Sequence, residues 1–345
     1  MQAKKPYAYI VIAASLLAIS VFNIASQAWD TFWLTAFEWR IGGLFSVLSA
    51  WGIPMFIAGI GLNYLSDELA LSNRIVYTKM LPRALISCVF WWVLSALIYL
   101  KYNHSGELDT DTFFESMSKV LDTPFNIRLL HLTVSFFAFY PLLKRIADSE
   151  KLTKYLVVAF FLFSFVLPAI RMIPYVNIIT LFTDQINWGF FTSFGLYLFL
   201  GVFVSRIEFR WHHRIVIYCI GALATVAMLA CTAFFSSDNI GFDSRFVNEQ
   251  SPLVALQVMA ALVLCKTALT KWGQSMRMVI IKRVSIAAYA FLPLFSITQN
   301  LVGYFASMEK MPLIGLIPVS AIMCFSFSIG LSVLIKKTPI LSYLS

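Results

Sequence analysis

Apolar residues run along this chain in long unbroken blocks, and charged residues gather in short segments between them. Within the blocks there is no apolar–polar alternation of the kind that marks a half-wet strand. Ten blocks are long enough, or nearly so, to cross a bilayer as helix, which takes about 20 residues. They fall near 7–25, 41–65, 84–100, 129–143, 155–173, 188–204, 215–235, 252–269, 285–306 and 312–335. The fourth is short and has room to begin before Arg128. The pattern predicts an all-α fold: a polytopic integral membrane helix bundle of about ten transmembrane helices. A transmembrane β-barrel is excluded, because its strands alternate over about ten residues.

Composition agrees with the pattern. Of 345 residues, 60% are hydrophobic and 12% charged, and the mean hydropathy is +0.80. A soluble domain carries about 25% charged residues, so this chain has too little polar surface to cover a water-soluble body of its size. That excludes a soluble enzyme, a disordered chain, a coiled coil and a small disulfide scaffold. No internal repeat or low-complexity tract is visible, which predicts one integral domain over residues 1–345.

The net charge of +9 comes from 26 Lys and Arg against 17 Asp and Glu. With both termini placed in the cytoplasm, 19 of the basic residues and five of the acidic ones fall inside. The inside then carries +14 and the outside −5. This is the distribution that cytoplasmic loops collect in membrane proteins, so the basic excess signals topology and not a nucleic-acid partner. Lys4, Lys5 and the apolar stretch before Ser26-Gln27-Ala28 also admit a cleavable leader, although the stretch is longer than the usual signal core. The five Cys (Cys88, Cys219, Cys231, Cys265, Cys324) lie in or beside spans with no CxxC pair, as small apolar fillers do. No metal site is expected, since adjacent His212 and His213 cannot face one ion from a helix. No P-loop, Rossmann glycine pattern, GxSxG or HExxH occurs.

Candidate chemistry is confined to a few polar groups. The outside segment 101–127 combines carboxylates (Glu107, Asp109, Asp111, Glu115, Asp122) with Tyr102, Phe113 and Phe114. Segment 236–251 holds Asp238, Asp243, Arg245 and Glu249. Most such charges are solvated connectors, but aromatics beside carboxylates also suit sugar rings. At membrane depth, ionisable residues are costly and point to function. His131 opens the fourth span with Arg128 three residues earlier, on one helix face near the outer surface. A neutral His there can take a proton from a sugar hydroxyl, and an Arg can hold an oxyanion or phosphate. The alternative is a pair that snorkels to headgroups. Arg171 has the same alternative; Asn23, Asp184, Gln185, Asn187, Gln299 and Asn300 read singly as helix–helix glue. Inside, Arg74, Lys79 and Arg83 precede the third span. They are either the topology signal itself or a dock for the phosphates of a donor such as coenzyme A.

The order of segments resembles the acyltransferase type 3 family of membrane acyltransferases, many of which O-acetylate cell-surface glycans. Five stretches carry the resemblance: 53–62 (IPMFIAGIGL), 77–83 running into Trp91-Trp92, 130–143 (LHLTVSFFAFYPLL), 285–293 (SIAAYAFLP) and 325–341. The family usually keeps an Arg and, about ten residues later, a His in its first span; Ile12 and Asn23 stand at these positions here. Leu292 replaces the His of the 285–293 motif, and Ile60 the Ser of the 53–62 motif. The resemblance implies an O-acyltransferase of the bacterial inner membrane. It would move an acetyl or other acyl group from cytoplasmic acyl-CoA to a sugar hydroxyl of an envelope polysaccharide or lipid-linked glycan. His131 would be the base or acyl-accepting group, Arg128 and Asn23 would stabilise or orient, and Arg74, Lys79 and Arg83 would meet the acetyl-CoA or other acyl-CoA donor. Expected partners are membrane lipid and the glycan acceptor, and no nucleic acid. The missing first-span Arg and His favour an alternative, a non-catalytic member that binds, transports or helps assemble a glycan intermediate. An ion-coupled transporter is disfavoured by the scarcity of intramembrane carboxylates.

Overall fold

The computed structural model describes residues 6–31, 37–66, 71–103, 113–118, 126–166, 193–236, 242–268 and 312–337. The regular elements among them are helical, and no strand occurs among them. The helices are α1 (Pro6–Thr31), α2 (Phe37–Ser49), α3 (Gly52–Tyr64), α4 (Leu81–Asn103), α5 (Asn126–Ala138), α6 (Tyr140–Asp148), α7 (Glu150–Phe161), α8 (Ser193–Arg206), α9 (Trp211–Phe235), α10 (Pro252–Ala268) and α11 (Leu313–Lys337). Among the described residues, five stretches are long and apolar enough to cross a membrane: Tyr7–Ser26, Phe37–Tyr64, Asn73–Leu97, Trp211–Phe235 and Leu313–Ile335. Phe194–Arg206 and Pro252–Thr267 are shorter apolar helices. The block expected at 285–306, with Gln299 and Asn300, lies outside the described residues, as do Arg171, Asp184, Gln185, Asn187 and both chain ends.

Prolines decide where the expected spans are interrupted. The block 41–65 forms two helices, broken at Ala50 and Trp51. Pro54 causes the break: its ring excludes the carbonyl of the residue four positions back, Ala50, and it offers no N–H to that group. Carbonyls next to the break find other donors. Trp51 Nε1 donates to Leu48 O at 2.8 Å, and Gln257 Nε2 of α10 donates to Val47 O at 3.2 Å. A carbonyl can only accept, so this contact fixes which end of the Gln257 amide faces α2. Such outside donors are what make a broken helix tolerable at membrane depth. Ahead of α4, a turn at Asn73–Ile75 and a π turn at Val76–Met80 lead into Pro82. The Leu81 N–H reaches back to Val76 O, one residue further than in an α-helix, because Pro82 cannot serve the Thr78 carbonyl in the usual way. The fourth expected span begins at Asn126, ahead of Arg128, and turns at Phe139, two residues before Pro141.

The chain divides into two compact units, and the division runs through α11 at Pro318. The first holds α1, α2, α3, α7, α8, α9 and α10. Here α3 packs against α1 and α8, and α9 against α10 and α2. The α3–α8 crossing rests on two glycines: a Cβ on Gly61 would collide with Leu198 O, and one on Gly201 with Ala58 O. Each glycine therefore faces the other helix's carbonyl, and the backbones touch. Lipid tails are as apolar as Leu, so close van der Waals contact, not water exclusion, holds helices together in a bilayer. The C-terminal ends of both helices are met by lysines. Lys144 Nζ donates to Leu65 O at 3.2 Å. Lys266 Nζ donates to Val204, Ser205 and Ile207 carbonyls at 2.8, 3.0 and 2.5 Å. A cation there satisfies orphan carbonyls and complements the helix dipole. Gln257 Nε2 also donates to Thr225 Oγ1 of α9 at 3.1 Å, so one amide ties α2, α9 and α10.

The second unit holds residues 71–143 and the part of α11 beyond Pro318. Its core is Cys88, Trp91 and Leu130, with Leu94, Val134, Leu331 and Ile335 packed against them. Tyr77 Oη donates to Ala138 O at 3.1 Å, tying the π turn to the end of α5.

Candidate functional site

In the second unit, α5 carries both Arg128 and His131 in its first two turns, as their spacing predicts. His131 is half-buried, and its ring meets the edge of Trp92 on α4, with centroids 6.5 Å apart and planes at 81°. Trp92 Nε1 donates to Met117 O at 3.1 Å. Met117 belongs to the helical turn 113–118, and Phe113 and Met117 pack on Trp92 and buried Ala96. Trp92 thus joins His131 to part of the segment in which the sequence sets aromatics beside carboxylates. Phe113 and Phe114 meet edge to face at 6.0 Å, and Phe114 and Glu115 are exposed.

Trp92 sits near the middle of the 23-residue helix α4, and His131 packs beside it there. Arg83, near the start of α4, is nine residues before Trp92, about 14 Å along the axis. Arg74, Lys79 and Arg83 are all exposed on one stretch of continuous helix. Thr78 Oγ1 donates to Arg74 O at 2.7 Å within it. The arrangement puts three exposed cations on one helical stretch.

The Arg128 side chain and the residues around 104–112 and 119–125 lie outside the described ones. Asn23 is buried on α1 and belongs to the first unit; His131 belongs to the second. Its carbonyl accepts a hydrogen bond from Ser26 Oγ at 3.1 Å. Ile12, where the resembled family keeps its Arg, is buried and packs on Gly59 of α3.

Two acids of segment 236–251 are not solvated connectors. Asp243 is buried, and Arg245 Nε donates to its carboxylate at 2.8 Å. The hydrogen bond from the Arg245 side chain holds the Asp243 carboxyl below the usual carboxylate range, against the opposing pull of burial. Glu249 is buried too, and its backbone carbonyl accepts the Tyr197 hydroxyl of α8 at 2.7 Å. Both residues are ties in the loop between α9 and α10. Among the described residues, no group of three His, Cys, Asp or Glu is placed to hold a metal. All five cysteines are free thiols.

Reading the sequence did not single out Trp92, Lys266 or Gln257. Trp92 stood in a stretch matched to the family, and the 3.6-residue period of Phe113 and Met117 was a signal that this turn has an apolar face. Lys266 was counted only as an inside charge. Comparison with known proteins adds no relative: no family model, curated protein or solved structure matches the chain.

Proposed function

We propose that the chain is a membrane O-acyltransferase of the acyltransferase type 3 kind, acting on an envelope glycan in a bacterial inner membrane. The observation that carries this reading is the His131–Trp92–Met117 arrangement. It sets a half-buried imidazole beside an indole that is itself bonded to an aromatic-bearing turn. The neutral imidazole accepts the proton of a sugar hydroxyl as the oxygen attacks the acyl carbonyl carbon. The thioester C–S bond breaks, and the proton leaves with the thiolate of coenzyme A. In the two-step variant, the ring nitrogen takes the acyl group first. Arg128, one turn before His131, stabilises the oxyanion. Arg74, Lys79 and Arg83 hold the donor's phosphates by charge-assisted hydrogen bonds.

The test is transfer of labelled acetyl from acetyl-CoA to lipid-linked glycan by the purified full chain. His131→Ala lowers the rate by at least about 100-fold while the protein stays folded. Trp92→Phe mainly raises KM, because it keeps a ring but frees the Met117 carbonyl. Full activity in His131→Ala removes His131 from the chemistry.

A second reading rests on Ile12. The family's Arg position is filled by an apolar side chain packed against α3, and an Asn at position 23 cannot act as a base near neutral pH. On this reading the protein binds or moves a glycan intermediate without transferring acyl groups. Glycan binding by purified protein, with neither acetyl-CoA binding nor hydrolysis, decides for it.

A further inference from the structure

The function proposed above makes no use of the first unit's polar end formed by the start of α7 and residues 206–214. Lys151, Lys154 and Tyr155 are exposed on the first turns of α7, as are Arg210, Trp211, His212 and His213 at the start of α9. Arg206 ends α8, and Arg214 donates from Nε to Phe209 O at 2.7 Å. Five arginines and lysines face two acids here, Glu150 and Glu208. Glu150 is already engaged: Lys154 lies 2.6 Å from it, and this hydrogen bond first, then the charges of Lys154 and Arg206, pull its carboxyl below the usual range. Helix α7 packs along α8, which ends at Arg206, so the two segments belong to neighbouring elements. Large aromatics mark the same region, with Trp211 at 71% and Tyr155 at 68% relative exposure. The Trp211, His212 and His213 rings form a row, with centroids 6.1 and 4.3 Å apart. Above Trp211, α9 presents exposed Ile215, Val216, Ile220, Leu223 and Val226, a lipid-facing wall.

Exposed Trp and Tyr at the end of an apolar wall occupy the level of lipid headgroups, and a cationic surplus at that level attracts anionic lipid. We infer that residues 150–155 and 206–214 form a binding surface for anionic phospholipid headgroups of the inner leaflet, with Lys151, Lys154 and Arg210 contacting the phosphates. The occupant is a lipid and not a free nucleotide, because Lys154 and Arg210 stand next in sequence to the exposed aromatics Tyr155 and Trp211, and Trp211 opens the exposed apolar face of α9. The inference takes these loops as cytoplasmic, as the Lys and Arg distribution assigns them, and it stands whether or not His131 transfers acyl groups.

The test is native mass spectrometry of the full chain in detergent, titrated with dioleoyl phosphatidylglycerol and dioleoyl phosphatidylcholine. The wild-type chain prefers phosphatidylglycerol, and the preference falls as salt rises from about 0.05 to 0.5 M. The triple substitution Lys151→Gln/Lys154→Gln/Arg210→Gln cuts the preference about tenfold or more. Arg40→Gln/Arg245→Gln/Lys337→Gln removes the same formal charge from exposed positions elsewhere and leaves it nearly unchanged. Single Arg210→Gln, at an exposed position, gives a partial loss if the triple variant fails to fold. No preference in the wild type, a salt-independent preference, or equal loss in both triple variants overturns the inference.

Discussion

Helices α1 to α3 and helix α4 are similarly apolar, yet they are used differently. Of the apolar windows in Tyr7–Ser26 and Phe37–Tyr64, 67% and 78% of residues are buried; in Asn73–Leu97 the share is 22%. In the first unit, enclosure comes with backbone contact at Gly61 and Gly201 and with polar ties from Lys144, Lys266 and Gln257. In the second, α4 exposes Leu85, Ile86, Val89, Phe90 and Leu97, and the polar contact there runs from Trp92 to a turn that also carries the aromatics of the candidate site. The difference follows from lipid as solvent. An apolar surface gains little by leaving lipid for protein, so enclosed helices need shape and hydrogen bonds, while lipid-facing ones need only to be apolar.

Glycine substitutions test this contrast most strongly. Gly61→Ala forces α3 and α8 apart and lowers stability by about 3 kcal/mol or more, read as the loss of the folded fraction in thermal unfolding in detergent. Gly330→Ala in α11 meets nothing within 4 Å and leaves stability unchanged or raises it by up to about 1 kcal/mol. Equal loss at both positions would end the distinction between enclosed and lipid-facing helices.

A smaller effect is expected at the lysine that closes α8. Lys266→Met keeps an unbranched chain but leaves three carbonyls without their donor, at a cost of about 1–3 kcal/mol. Lys266→Arg recovers part of it. Chemical unfolding of the two variants side by side measures the difference, and a Met variant as stable as the wild type would make this tie ornamental.

The smallest effect is in the loop between α9 and α10. The folded-state pKa of Asp243 is depressed, so its contribution is fully present above the ordinary carboxylate range and is lost as pH falls through the lowered value. Arg245 is half exposed, which limits the pair to about 1 kcal/mol or less. Asp243→Asn should lower stability at pH 7 by up to about 1 kcal/mol, and the difference from the wild type should shrink as pH falls below about 4. A wild-type curve that is flat there would remove the pair from the account.

Much of the membrane helix pattern could be read from the apolar blocks, because block length reflects bilayer thickness and needs no tertiary information. The break at Ala50–Trp51 was also encoded, in Pro54, but it is hidden when a continuous apolar run is counted as one span. Pairings were not readable: Lys266 meets carbonyls about 60 residues away, and such partners have no local signature. At the candidate site, the Arg128–His131 spacing gave the helix face, but the contact of His131 with Trp92 on α4 has no local signature. Asn23 and His131 were grouped by a family pattern, whereas chain contacts assign them to separate units.

The contact between Gln257 and Val47 also has a history during synthesis. The two residues are 210 positions apart, and a ribosome adding about 5–20 residues per second takes roughly 10–40 s to cover that distance. During this interval the carbonyl at the break in the α2–α3 pair has no amide from α10 to meet it. A nascent chain arrested before residue 257 therefore holds α2 and α3 without the side chain that ties their break to α9 and α10. The first unit reaches its final hydrogen bonding only late in translation, although two of its helices are among the first segments made.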